Sequence, residues 1–99
     1  MFRHVVMVKW KAEASKEQRE AAVSGVRSLP HKIPQIRKFV LGENAGIDKD
    51  TFDVVVVADF DNANDYVIYR DHPDHRALME QVVRPITAAR QCNMKCRKD

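Results

Sequence analysis

Ninety-nine residues, 44% of them hydrophobic, suffice for one core and are too few for a second. The net charge of +3 arises from 17 basic and 14 acidic residues scattered along the chain, with a short basic cluster only at Lys95, Arg97 and Lys98. Without a basic face interleaved with aromatics or a reading motif, this charge does not point to nucleic acid, and no run approaches the roughly 20 apolar residues of a membrane span.

The opening MFRHVVMVKWK has its apolar residues interrupted by Arg3, His4 and Lys9, so it lacks the continuous apolar stretch of a secretory signal. A soluble, cytoplasmic chain is expected. The same stretch alternates with a period of two: Phe2, His4, Val6, Val8 and Trp10 on one side of a strand, Arg3, Val5, Met7, Lys9 and Lys11 on the other. The first side is apolar except for His4.

SKEQ, residues 15–18, matches a capping box, with a serine hydroxyl for the first free amides and a glutamine reaching back. The helix that follows carries Ala22, Val26 and Leu29 at helical spacing and is expected to stop at Pro30. After the connector LPHKIP, a second strand reads IRKFVLGEN from Ile36, AGIDKDT has turn composition, and a third strand runs from Phe52 to Phe60. One face of that third strand (Phe52, Val54, Val56, Ala58, Phe60) is wholly apolar, and Val55 and Val57 make the other apolar in its middle. Such a strand is covered on both sides. One helical layer covers one face, so a partner subunit is inferred for the other.

DNANDY supplies capping residues for a short helix bearing Tyr66 and Tyr69, which breaks at His72-Pro73. Pro73 suits the first position of a new helix, with His72 as its cap, and there His75, Met79, Val82 and Ile86 form one stripe. A final strand from about Ala89 to Arg97 completes the order β-α-β-β-α-β, an α+β, ferredoxin-like protomer with an antiparallel sheet. On such a strand Cys92 and Cys96 lie on one face about 13 Å apart, too far for a disulfide.

This arrangement gives the histidines different roles. His72 is expected to cap or sit at the surface. His75 lies on the stripe facing the sheet, where His4 also points, with the Tyr69 phenol one helix break away. Histidine exchanges protons near neutral pH without a cofactor, and a tyrosine hydroxyl holds a carbonyl or enolate oxygen. That chemistry suits proton abstraction beside a carbonyl. Two histidines without a placed carboxylate do not make a zinc or iron site. No GxGxxG, P-loop or GxSxG supports nucleotide binding or serine hydrolysis.

RHVVMVKWK, the turn KIPQI, the strand end VVVVADF, and above all the YxxHPxH element (Tyr69, His72, Pro73, His75) together resemble the stress-responsive A/B barrel, or Dabb, family of dimeric α+β barrel proteins. The resemblance spans nearly the whole chain and fades after about Ala89. It implies a homodimer formed through the sheet face, closing a dimeric α/β barrel. A plant polyketide cyclase of this family works without metal or cofactor, and by motif position its first-strand histidine, pre-HPxH tyrosine and second HPxH histidine match His4, Tyr69 and His75. The sequence departs from the cyclase at Val54, where it has a histidine, and at Val26, where it has a tyrosine, which implies a greasier pocket.

The expectation is therefore a Dabb-type protein without cofactor or metal, with His4, Tyr69 and His75 as catalytic candidates and Val6, Val26, Val54, Tyr66, His72 and Met79 lining a pocket for a small hydrophobic ligand. Its activity would be that of an isomerase or cyclase acting on a carbonyl or polyketide-like compound. The alternative is a non-catalytic, stress-associated or ligand-binding dimer with structural histidines. The wider superfamily also includes monooxygenases and haem-degrading proteins.

Overall fold

A computed structural model describes residues 1–48 and 51–97, with side chains described through Arg90. The strands are β1 (Phe2–Trp10), β2 (Lys38–Glu43), β3 (Val54–Phe60) and β4 (Thr87–Arg97); the helices are α1 (Lys16–Lys32), α2 (Ala63–Asp71) and α3 (Pro73–Leu78). All strand neighbours are antiparallel in the order β2-β3-β1-β4, the ferredoxin-like arrangement. The second helical segment is divided in two at His72-Pro73.

Strand β1 alternates as expected, burying His4, Val6 and Val8 beneath the helices. Helix α1 begins at the capping box: the Gln18 amide donates to Ser15 Oγ (3.1 Å), and the Ser15 amide donates to Gln18 Oε1 (2.8 Å). It does not stop at Pro30 but continues to Lys32. Proline removes one donor from the ladder, but Leu29 and Ile33, both fully buried, pin the last turn into the core, and the Ile33 amide still donates to the Leu29 carbonyl (2.9 Å). Strands β2 and β3 each start two residues later than the sequence pattern suggests, at Lys38 and Val54.

The principal core lies between helices and sheet, with Leu29, Ile33, Ala58, Phe60, Tyr66 and Tyr69 in one buried cluster. A second cluster joins Ala22, Val83 and Ile86. The apolar stripe after Pro73 thus includes Val83 beside the Met79, Val82 and Ile86 read from the sequence. A π-helical turn spans Met79–Val83, closed by the Arg84 amide donating to the Met79 carbonyl five residues back. One extra residue in the turn rotates the following side chains. A 3-10 turn (Arg84–Ile86) then leads into β4.

Among the described residues no helix lies over the opposite sheet face. Val40 pairs with Val57, which pairs with Val5, and Gly42 pairs with Val55, which pairs with Met7. Val40 is 50% exposed and Val55 36%. At one end of this face Arg3 grips the nearly buried Asp59 with two parallel hydrogen bonds of 2.8 and 2.9 Å, the geometry in which a guanidinium and a carboxylate match best. Strand β4 departs from regular pairing opposite Val6 and again near Lys9. The Cys92 and Cys96 thiols, and the basic side chains of Lys95, Arg97 and Lys98, lie outside the described side chains.

Candidate functional site

The first strand and the divided helix bring the three catalytic candidates together. His4, opposite Ala58 on β3, is 3% exposed, and its ring lies 4.8 Å from that of Tyr66 and 6.2 Å from that of Tyr69. The Tyr69 ring is 4.4 Å from His75, so Tyr69 contacts both imidazoles. Phe60 packs behind the tyrosines, 5.2 Å from Tyr69 and 5.7 Å, edge on, from Tyr66. Among the described residues no buried side-chain nitrogen or oxygen lacks a hydrogen-bonding partner.

The break between α2 and α3 sets the orientation of His75. Asn62 caps α2, accepting from the Asp65 amide (2.8 Å), and His72 caps α3, its Nδ1 accepting from the Asp74 amide (3.1 Å). With α3 starting at Pro73, His75 turns back so that its Nδ1 lies 3.0 Å from the Arg70 carbonyl oxygen. A carbonyl oxygen only accepts, so Nδ1 must carry the hydrogen. In the neutral ring Nε2 is then the basic atom. Burial, the largest cause, pulls the His75 pKa below its ordinary 6.5, and the positive fields of Arg90, His72 and Arg84 act in the same direction against the Arg70 hydrogen bond. Both causes favour the neutral ring.

Two recesses meet at this imidazole. A narrow cavity of about 40 Å³ is walled by His4, Tyr69 and His75 together with Val6, Val26, Val54 and Met79. An open cleft of about 420 Å³ lies outside it and shares His75, Met79 and Arg90. Tyr66 lines this outer cleft and not the narrow cavity, whereas His72 lines neither and serves as a cap. Among the described residues no three histidine, cysteine or carboxylate side chains converge as metal ligands do.

Sequence reasoning missed Trp10, Leu41 and Val83 in the cavity wall, and above all Arg90. Arg90 pairs with Val8, whose side chain faces the helices, so its own position falls on the helix side of an outer strand. No alternation after Ala89 announces this. Trp10 and Val8 were legible, since they share the His4 side of β1.

The model of the Stress responsive A/B Barrel Domain, Dabb, matches residues 2–93, nearly the whole chain. The chain belongs to the Dabb family. Among solved structures, this Dabb chain is similar to a dimeric ferredoxin-like protein of unknown function from Thermobifida fusca, with 31% identity, a TM-score of 0.81, and coverage of 91% of this chain and 84% of the other. A dimeric ferredoxin-like protein from Bacteroides fragilis, also of unknown function, is 26% identical with a TM-score of 0.78 over 93% and 91% of the two chains. A hydroxynitrile lyase from Passiflora edulis shares the fold at 15% identity, with a TM-score of 0.75 over 98% and 96%. No curated protein matches the chain. No helix among the described residues is long and apolar enough to cross a membrane.

Proposed function

We propose that this Dabb protein is a cofactor-independent acid–base catalyst acting on a small carbonyl compound, with His75 as the base, Tyr69 as the group that holds the carbonyl oxygen, and His4 as a buried positioning residue. The observation that carries the reading is the His75 imidazole itself. Its tautomer is set by the Arg70 carbonyl, which leaves Nε2 as the basic atom, and it stands against Tyr69 where a narrow apolar cavity meets an open cleft. In the reaction, Nε2 takes a proton from the carbon beside the carbonyl. The enolate oxygen rests on the Tyr69 hydroxyl, and the proton returns to the same or a neighbouring carbon, giving exchange or isomerisation.

A cavity of about 40 Å³ limits what can enter. Ligand sites for drug-sized molecules run to about 300–1,000 Å³, so a polyketide-sized substrate would have to lie largely in the outer cleft, and a short-chain aldehyde or ketone is the better match. The hydroxynitrile lyase from Passiflora edulis indicates that this fold accommodates a lyase, at an identity that carries the fold alone. The direct test is deuterium exchange at the α-carbon of a panel of short aldehydes and ketones in heavy water, followed by NMR. Exchange by the wild type above buffer is expected; none across the panel would sink the catalytic reading. The second reading, histidines that only stabilise a non-catalytic protein, is favoured by the near-complete burial of His4, and an inactive wild type would leave it standing.

The reading includes a homodimer through the open sheet face. Support comes from the exposed valines at 40 and 55 on a face that no helix among the described residues covers, and from similar proteins described as dimeric. Placing a charge in that apolar face, as in Val55→Asp, is expected to convert a dimer in sedimentation equilibrium into a monomer, because an unpaired charge is costly to bury. A wild type that sediments as a monomer at all concentrations would remove the dimer.

A further inference from the structure

The outer cleft has a composition that the acid–base chemistry does not require. Arg70, Arg76, Arg84 and Arg90 line it, opposed by Asp71 and Glu80 alone. Asp71 is committed to Arg70 through two hydrogen bonds, of 3.0 and 3.1 Å, and its carboxyl is held below the usual range chiefly by that contact. Among the described residues, Arg76, Arg84 and Arg90 form no hydrogen bond or ion pair through their side chains. Three guanidiniums thus face one recess against the single remaining carboxylate of Glu80.

Their placement follows from features of the fold with separate origins. Arg84 follows the π-helical turn, five residues beyond Met79, which itself belongs to both recesses. Arg90 arrives from β4 through its pairing with Val8, and it too belongs to both recesses. Like charges gathered on one concave surface repel each other unless a counter-charge joins them. A guanidinium presents a planar fork that fits an oxyanion with two parallel hydrogen bonds. The adjoining cavity is walled mainly by valines and Met79, so the molecule bearing the anion should also carry an apolar portion.

We infer that the cleft is the acid-binding half of the site: it takes the carboxylate of a small keto acid on Arg84 and Arg90, with Arg76 in support, and presents the keto end to His75 and Tyr69. The inference rests on the carbonyl reading above and narrows its substrate class from neutral carbonyl compounds to carboxylates. The oxyanion chemistry is shared by carboxylate and phosphate. The apolar cavity favours the organic acid, which can leave its carbon chain there, over hydrated inorganic phosphate.

The test is a binding titration of the full chain, by calorimetry and NMR, with three probes: 4-oxopentanoate, its neutral amide, and inorganic phosphate. Saturable binding of 4-oxopentanoate is expected, weakened by added salt and by about tenfold for each of Arg84→Gln and Arg90→Gln, the loss typical of one charge-assisted hydrogen-bonded contact. Amide binding as tight as the acid, or unchanged affinity in both arginine variants, would overturn the inference. So would phosphate binding more tightly than 4-oxopentanoate. Because binding needs no turnover, the two readings fail separately. An acid that binds without α-carbon exchange defeats the catalytic reading alone, and exchange of neutral ketones without acid binding defeats this one.

Discussion

His75→Gln is expected to lower α-carbon exchange by about 10²–10⁴-fold, the usual contribution of a positioned general base, while leaving the fold intact. Glutamine is close in reach, and its amide can donate to the Arg70 carbonyl as His75 Nδ1 does, but it has no basic atom to take a proton. Only half-buried and at the mouth of the cavity, the side chain is not a pillar of the core. Comparing exchange rates with circular dichroism on the same samples separates the two effects. A variant that folds and exchanges as fast as wild type would take the base role away from His75.

The same residue predicts a pH dependence of stability. The His75 pKa in the folded protein lies below 6.5, the value for an unconstrained histidine. As pH falls below 6.5 the unfolded chain takes up this proton before the folded one does, so unfolding is favoured. The contribution is undiminished above 6.5 and is lost as pH falls through the lower folded value. Urea midpoints of wild type and His75→Gln should therefore run parallel above 6.5 and converge or cross below it, where only the wild type loses this term. A constant difference at every pH would show that folding leaves the His75 pKa unmoved.

Phe60→Ala carries the largest expected cost in stability, about 3–5 kcal/mol, as for truncation of a fully buried aromatic. Phe60 is 0% exposed, belongs to the cluster that holds Leu29, Ile33 and Ala58, and meets the rings of both Tyr66 and Tyr69. Its removal leaves a cavity beneath the tyrosine that faces His75, so stability and exchange activity should fall together. In a chain of this size the melting temperature should drop by roughly 15–30 °C. Urea unfolding at matched protein concentration, needed because a dimer's stability depends on concentration, gives the value. A loss below about 1 kcal/mol would mean that Phe60 does not anchor the aromatic cluster.

Much of this site was legible in the residues. Alternation along MFRHVVMVKW put His4 on the buried side of β1, the capping box started α1 at its observed place, and His72-Pro73 marked the helix break that turns His75 back toward Arg70. These are local effects, set by side-chain period, by capping hydrogen bonds and by a ring that cannot donate, so they act over a few neighbouring residues wherever the segment lies. The end of α1, by contrast, was misread because burial of Leu29 and Ile33 carries the helix through Pro30, and that burial exists only once the sheet is assembled.

The sequence by itself determined the order of elements, the side of β1 that enters the core, and the identity of the histidine and tyrosine candidates. Only the tertiary structure decided that His4 is enclosed, that His75 stands between a narrow cavity and an open cleft, and that His72, already readable as a cap, lines neither. It also decided that Arg84, just after a π-helical turn, and Arg90, on an irregular outer strand, share one recess. Pairing register and an inserted helical residue are set by contacts between segments far apart in the chain, and no local period encodes them.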